Sequence, residues 1–542
     1  MLRPFFFKSL FFFWYRFLFR QLKSLIGFHR NISNTFSSQL KWQKYLSLLQ
    51  RSDLSDHTLI FDVEGALFKS SSLFPYFMLV AFEAGGLLRA IVLILLYPLV
   101  SLVGDDMGLK IMVMICFFGM KAESFRVGRA VLPKFFFEDV GSEIFQVLNR
   151  GGKKVGVTNL PQVMVESFLR EYLQIDFVVG RKLKVFRGYF VGLMEERNTT
   201  HTLEQVQEIK ECSDMIGIIG FNKILDQDLF SHCKEIYLVG EADKRGWQKL
   251  PKDKYPKALV FHDGRLAVRP TPFDTLAMLM WVPLGLLLAI MRICIALSIP
   301  YKVATPLLCY SGLRFTVSMP KSSLGLDNSP NTKGHLYVCN HRTLLDPLYL
   351  SFALKKNNLI AVTYSLSRMS EILAPIKTVR LTRNRDRDAK MMKELLQQGD
   401  LAVCPEGTTC REPYLLRFSP LFSEMCDEIT PVAIDSHVSM FHGTTAGGLK
   451  CLDPVFFLMN PFPIYSVKLL HKVISITRSS SSTTCDHKEN SRYDVANHVQ
   501  REIGNALGFE CTQLTRKDKY LMLAGNEGIV VSNSTSNCKS KP

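Results

Sequence analysis

The chain has 542 residues, 47% of them hydrophobic, with 66 Lys and Arg against 49 Asp and Glu and a formal net charge of +17. That length exceeds one compact core and points to two or three domains, and the positive balance calls for an anionic partner such as a membrane surface or phosphorylated substrates. No zinc-finger spacing, basic heptad region or aromatic RNA-binding signature is present, which sets nucleic acid aside. The 13 cysteines have no paired spacing and read as reduced thiols facing the cytosol.

Residues 1–50 contain no Asp or Glu, and their MLRPFFFKSLFFFWYRFLFR start is dense in Phe and basic residues. This fits a membrane-interface anchor or an organelle presequence. Two further regions are strongly apolar. Residues 73–120 are interrupted by Glu83, Gly85, Gly86 and Arg89, so they read as one span, a re-entrant hairpin or an interface-lying pair. Residues 276–299 are long enough to cross a bilayer, with Arg292 near one end where it could snorkel; the membrane-associated segment is set at 274–312.

Between 55 and 265, three apolar runs end in polar groups: TLIFD at Asp62, KKVGVT at Thr158, and MIGIIGFN, which is followed by Asp226. Strands presenting Asp, Thr and Asp at one end suggest an open α/β sheet with a site at that edge. The order resembles the haloacid-dehalogenase (HAD) phosphatases. There the first Asp is the nucleophile, a second Asp two residues on is the acid/base, a Thr and a Lys hold the phosphoryl group, and a later acidic pair holds Mg²⁺. In this chain Glu64 stands where the second Asp would be, Asn222 where a metal carboxylate would be, and VGLMEERNTTHTL supplies no Lys. Asp62, Glu64, Thr158, Asn222 and Asp226 therefore form a degenerate motif, and a scaffold role is expected for this half.

The second half opens on HLYVCNHRTLLDP. A short β-favouring run leads into His341 and, five residues on, Asp346 and Pro347, which begin a helix-like stretch. A carboxylate at that spacing can fold back on the imidazole, fix its tautomer and stabilise its protonated form. A second His-x4-Asp spacing, His57 to Asp62, lies in a buried-strand pattern. KTVRLTRNRDRD follows, with Arg380, Arg383 and Arg385; guanidinium groups match phosphate oxygens. LAVCPEGTT then places Glu406, Gly407 and Thr408 in a loop after a strand, and EITPVAID forms another strand carrying Pro431.

NHRTLLD, VRLTR, CPEGT and TPVAI in this order resemble the four blocks of the glycerolipid acyltransferases. With the HAD-like half before them, the chain resembles the plant glycerol-3-phosphate acyltransferases of the cutin and suberin branch. The resemblance implies an α/β fold, a HAD-like Rossmannoid domain followed by an acyltransferase α/β domain at 313–515, with membrane-embedded helices. It implies His341 as base, Asp346 as its orienting partner and Arg383 or Arg380, with Arg385, on the phosphate. Glu406, Gly407 and Thr408 would shape the polyol site and Pro431 the pocket wall. It further implies transfer from acyl-CoA to glycerol 3-phosphate at sn-2, giving lysophosphatidic acid, with no metal or cofactor. The expected setting is a lipid bilayer, the endoplasmic reticulum before the mitochondrion. A lysophospholipid acceptor, a bifunctional enzyme releasing 2-monoacylglycerol and a non-catalytic scaffold stand as alternatives. A covalent route through Cys339 or Cys404 is less economical than base-assisted transfer. Residues 516–542 read as a polar tail.

Overall fold

The computed structural model describes residues 42–195, 214–220, 230, 232–320, 334–356, 358–363, 371, 374–426, 428–474 and 485–527. Residues 1–41 of the anchor expected over 1–50, Asn222, Asp226 and the end of the chain after 527 lie outside the described residues.

The apolar runs of the first half become strands: Trp42–Lys44 (β1), Thr58–Asp62 (β2), Lys154–Pro161 (β3), Phe177–Arg181 (β4), Met215–Gly220 (β5) and Glu235–Val239 (β6). They form a parallel six-stranded sheet in the order β1-β6-β5-β2-β3-β4. All five residues of β2 are buried, as a central parallel strand covered on both faces requires. Because β2 and β3 run in the same direction, Asp62 and Thr158 emerge at one edge. The sheet takes its edge strand from residues 42–44, so this half starts earlier than residue 55. His57, at the other end of β2, bonds through Nδ1 to the Asp53 carbonyl at 2.8 Å and is remote from Asp62 in the strand.

The apolar stretch after β2 folds as Phe74–Leu102 (α1) and Asp105–Phe117 (α2). Gly86, at φ 76°, breaks α1 into two arms; a side chain there would oppose the left-handed backbone. The first arm is core, with Phe74 to Ala81 buried. Arg89 on the second arm donates to the Cys116 and Phe118 carbonyls at 2.7 Å each and pins α2 alongside. Leu87, Leu88, Leu95, Leu99, Met107, Met114 and Phe118 remain exposed, an apolar surface on this hairpin.

Pro272–Ser298 (α3) and Tyr301–Tyr310 (α4) lead into the second half. Thr271 caps α3, accepting from the Asp274 N–H at 3.2 Å, with Pro272 at the first helical position. Arg292 does not snorkel. It is fully buried, donating to the carbonyls of Leu458 and Asn460 at 2.7 Å each, Ser311 at 2.6 Å and Pro461 at 3.1 Å, and to Ser311 Oγ at 2.9 Å. Carbonyls left over at chain turns need a donor in an apolar setting, and one planar five-donor group supplies it.

The second sheet contains Arg314–Ser318 (β7), Leu336–Cys339 (β8), Ile360–Thr363 (β9), Lys377–Arg380 (β10), Leu401–Val403 (β11), Glu428–His437 (β12), Ile464–Leu469 (β13) and Val473–Ile474 (β14). Its order is β10-β9-β11-β8-β12-β13-β7, with β14 beside β12. Only β13 and β14 run antiparallel to their neighbour β12. Helices Asp346–Leu354 (α5), Arg385–Gln398 (α6), Asp453–Leu458 (α7), Cys485–Leu507 (α8) and Arg516–Leu523 (α9) complete this half. The last of these corrects the expectation of a polar tail from 516 onward. A strap over 260–269 joins the halves: Leu266 bridges Phe441, Asp263 accepts from the Ala446 and Gly447 N–H groups at 3.0 Å each, and Arg265 pairs with Asp453 at 2.7 Å. Among the described residues, Cys116, Cys233, Cys339, Cys404 and Cys410 are free thiols.

Arg292→Met strips several buried carbonyls of their donor, and is expected to destabilise the fold by about 3–5 kcal/mol. Thermal unfolding of the purified chain in detergent reads this directly, and a melting temperature equal to that of the wild type contradicts the assignment.

Candidate active site

The strand β8 is the second sheet's central rail, paired with β11 on one side and β12 on the other. Asn340, just past its end, donates to the Ile434 carbonyl at 2.8 Å and accepts from the Ile434 N–H at 2.7 Å, which fastens the strand's exit to β12. His341 follows. Its Nδ1 lies 2.8 Å from Asp346 Oδ2. Asp346 is fully buried and saturated: it also accepts from the N–H groups of Arg342 (2.7 Å) and Thr343 (3.0 Å), the Thr343 hydroxyl (3.2 Å) and the Tyr465 hydroxyl. A carboxylate held by that many donors is immobile, so it orients the ring through Nδ1 and leaves Nε2 to exchange a proton. Burial disfavours the imidazolium, but the Cys404 sulfur and the Asp346 carboxylate favour it by more, so the His341 pKa stands above its ordinary 6.5.

The strand β11 delivers the CPEGT loop to the same place, since β8 and β11 pair Val338 with Val403. Cys404 Sγ, a His341 ring nitrogen and an Asp346 oxygen lie within 4.8 Å of one another. Those three could in principle hold a metal, but the carboxylate is already committed to the chain's own donors. Gly407, at φ +66°, makes the turn that a side chain would strain. Glu406 does not face a ligand. Its buried carboxylate accepts from the His341 N–H at 2.6 Å and the Leu416 N–H at 3.0 Å, and burial pushes its pKa up to about 7 against these bonds. It brackets the catalytic backbone, which corrects the expectation that it binds polyol hydroxyls.

A cavity of about 270 Å³ opens beside His341. Its lining includes apolar side chains, among them Ile293 and Leu297 of α3, Leu348, Ile376 and Phe422, and the polar Thr408, Thr409, Thr445, Lys450, Asp453 and Tyr520. Gly407 and Thr408 line it, whereas Glu406, Pro431, Arg380, Arg383 and Arg385 do not. Pro431 is buried within β12, opposite Val338. Arg380 bonds Glu371 at 2.8 Å and Arg385 bonds Glu424 at 2.6 Å, so both are committed to carboxylates. Arg383 differs. Asp388 accepts from its N–H at 2.9 Å and holds it at φ 67°, and its guanidinium has no ion pair among the described residues. Lys450 and Tyr520 were not found by sequence reasoning; a lone Lys after two glycines and a Tyr in a charged stretch carry no motif.

In the first half, Asp62, Glu64 and Thr158 come together and are buried. Glu64 accepts from the Thr158 hydroxyl and from the Asn159 and Leu160 N–H groups, each at 3.1 Å. A buried Lys does reach this edge, but from beyond β6: Lys244 Nζ donates to the Glu64 carbonyl at 3.3 Å. Sequence reasoning sought it before β5, and only the folded sheet brings it near.

A buried imidazole–carboxylate pair at the wall of a largely apolar cavity that also carries hydroxyls and one lysine fits a class: an acyltransferase of the His-x4-Asp type, here joined to a HAD-like domain. Family models agree, matching residues 58–239 to the HAD-like domain of RAM2-like glycerol-3-phosphate acyltransferases and residues 323–435 to the acyltransferase domain. The chain is 59% identical over 503 residues to "Probable glycerol-3-phosphate acyltransferase 2" of Arabidopsis thaliana, covering 91% of this chain and 94% of that one. It is 42% identical over 478 residues to "Glycerol-3-phosphate acyltransferase RAM2" of Petunia hybrida, covering 87% and 98%. Among solved structures it is similar to the 1-acyl-sn-glycerophosphate acyltransferase PlsC of Thermotoga maritima, at 17% identity and a TM-score of 0.25 over 39% of this chain and 76% of that one. A substrate-bound phosphoserine phosphatase is similar at 16% identity and a TM-score of 0.23, over 34% and 85%. The chain belongs to the plant glycerol-3-phosphate acyltransferase family, and is an acyltransferase.

A base must be neutral to accept a proton, so kcat/KM is expected to rise with pH through an inflection above the ordinary 6.5 of histidine. Asp346→Asn removes the carboxylate that raises this pKa; the inflection moves down and kcat/KM falls on the order of 10²-fold or more. An inflection that stays in place when Asp346 is neutralised contradicts the pairing.

Proposed function

We propose that the chain moves a fatty acyl group from acyl-CoA to the sn-2 hydroxyl of glycerol 3-phosphate and releases lysophosphatidic acid, for cutin- and suberin-type lipid synthesis at the endoplasmic reticulum membrane. The observation that carries this reading is the His341–Asp346 pair on the wall of a cavity lined by both apolar and polar side chains. The resemblance to the cutin and suberin branch supports the sn-2 position and the setting.

His341 Nε2 takes the proton of the acceptor hydroxyl as its oxygen attacks the thioester carbonyl carbon. The carbon–sulfur bond then breaks, and the CoA thiolate leaves with the proton from the imidazolium, which restores neutral His341. Asp346 holds the ring's orientation and stabilises the transient positive charge. All steps use the chain's own groups, so no metal or cofactor is required. The apolar part of the lining, which includes Ile293 and Leu297, fits the acyl chain. Those residues belong to α3, whose other faces expose Met280, Leu284, Leu287 and Ile290. Among the described residues two helices, α1 and α3, are long and apolar enough to cross a membrane by length and composition. A bilayer around them would cover that surface and let acyl chains enter from lipid.

The phosphatase half is inactive in this reading. The hydroxyl and N–H donors that would hold a transferring phosphoryl group are bonded instead to Glu64, a carboxylate that fills the place of the anion.

Two variants test the proposal with radiolabelled glycerol 3-phosphate and an acyl-CoA. His341→Ala is expected to lower transfer on the order of 10²-fold or more, while Asp62→Asn leaves both rate and product unchanged. The product should keep its phosphate. Mg²⁺-dependent phosphate release that needs Asp62, or full activity without His341, refutes it.

A further inference from the structure

One polar residue of the cavity lining, Tyr520, comes from a segment outside every acyltransferase block. Helix α9 is locked onto the catalytic loop: Lys519, buried, donates to Thr408 Oγ1 at 3.3 Å, Thr409 Oγ1 at 3.2 Å and the Thr409 carbonyl. With those three donors engaged, Lys519 positions the helix rather than a ligand. Asp518 caps the helix start, accepting from the Thr515 N–H at 2.7 Å. The next residue, Tyr520, faces the cavity. Lys450 Nζ donates to the Tyr520 hydroxyl, and the Arg516 guanidinium lies over its ring, 5.0 Å from the centroid. Arg383, from the loop before α6, adds its positive charge to the field at Arg516. Burial raises the Tyr520 pKa, but Lys450, Lys519 and Arg516 together bring it below the ordinary value. The carboxylate on the cavity wall, Asp453, is paired with Arg265 at 2.7 Å and does not offset these cations.

We propose that Lys450 on the cavity wall binds the phosphate of the acceptor, with the charge of Arg516 behind it over the Tyr520 ring adding to the attraction, so that the C-terminal helix α9 forms part of the acceptor site. The proposal rests on glycerol 3-phosphate being the acceptor. A small phosphate ester suits the position better than CoA does. Lys450 and Tyr520 line the same cavity as His341, and a phosphate there lies a few bonds from the hydroxyl being deprotonated. The CoA phosphates are separated from the thioester by the whole pantetheine arm and fall outside so small a cavity. Lys450 keeps two donors beyond the one on Tyr520, and an ammonium beside a guanidinium matches a dianion.

The test uses the full-length enzyme in detergent with Lys450→Gln, Lys450→Arg and Arg516→Gln. Lys450→Gln is expected to raise KM for glycerol 3-phosphate by on the order of tenfold or more, the value of one charge-assisted bond, and Arg516→Gln to raise it by less. KM for acyl-CoA stays within about twofold, and Lys450→Arg, which keeps the charge, stays near wild type. Unphosphorylated glycerol, used as a poor acceptor, should be acylated equally by wild type and variants, which also reports an intact fold. An unchanged KM for glycerol 3-phosphate in both Gln variants overturns the proposal, as does a rise in KM for acyl-CoA instead. A wild-type enzyme that does not acylate glycerol 3-phosphate fails the functional reading itself, an outcome distinct from either.

Discussion

The hydrogen bond between His341 Nδ1 and Asp346 is the contact on which the remaining architecture converges. It is short in sequence, five residues, yet it holds only because elements from across the chain fix both ends. Asn340 fastens the strand exit to β12, Glu406 holds the His341 N–H from the neighbouring strand's loop, and Tyr465 on β13 supplies a donor to the carboxylate. An imidazole set this way needs no reorganisation when it becomes charged, which is how a fixed carboxylate lowers a barrier.

The two halves of the chain meet around that site. Arg411, three residues after Thr408, donates to the Gly264 carbonyl at 2.8 Å and lies 3.5 Å from Asp263, both on the strap from the HAD-like half. The strap in turn holds the loop carrying Thr445 and, through Arg265, the start of α7 at Asp453. The first half thus braces the walls of the cavity, while its own site is filled by Glu64. Arg292 ties α3, which lines the cavity through Ile293 and Leu297, to the end of α7 and the turn after it.

Much of this was legible in the sequence where a motif is local. Strand ends bearing Asp62 and Thr158, the His341–Asp346 spacing and the turn at Gly407 each follow from residues a few positions apart. The direction in which a side chain points was less legible. Glu406 reads as a ligand contact from its neighbours, yet folds back on two backbone N–H groups. Arg380 and Arg385 sit in a phosphate-binding pattern but find Glu371 and Glu424. Lys244, Lys450 and Tyr520 reach their sites only through long-range contacts, and α9 lies in a stretch whose charge and polarity suggest solvent. Arg292 looks like an interruption in an apolar helix because the carbonyls it satisfies lie on α4's end and beyond α7, far along the chain.

A structure of the full chain with glycerol 3-phosphate and a non-reactive acyl-CoA analogue tests the central claim most directly. The account predicts an acceptor hydroxyl oxygen about 2.6–3.2 Å from His341 Nε2, with the thioester carbonyl on its far side. Acceptor bound with every hydroxyl out of reach of that nitrogen, or His341 turned away from Asp346 in the complex, contradicts it.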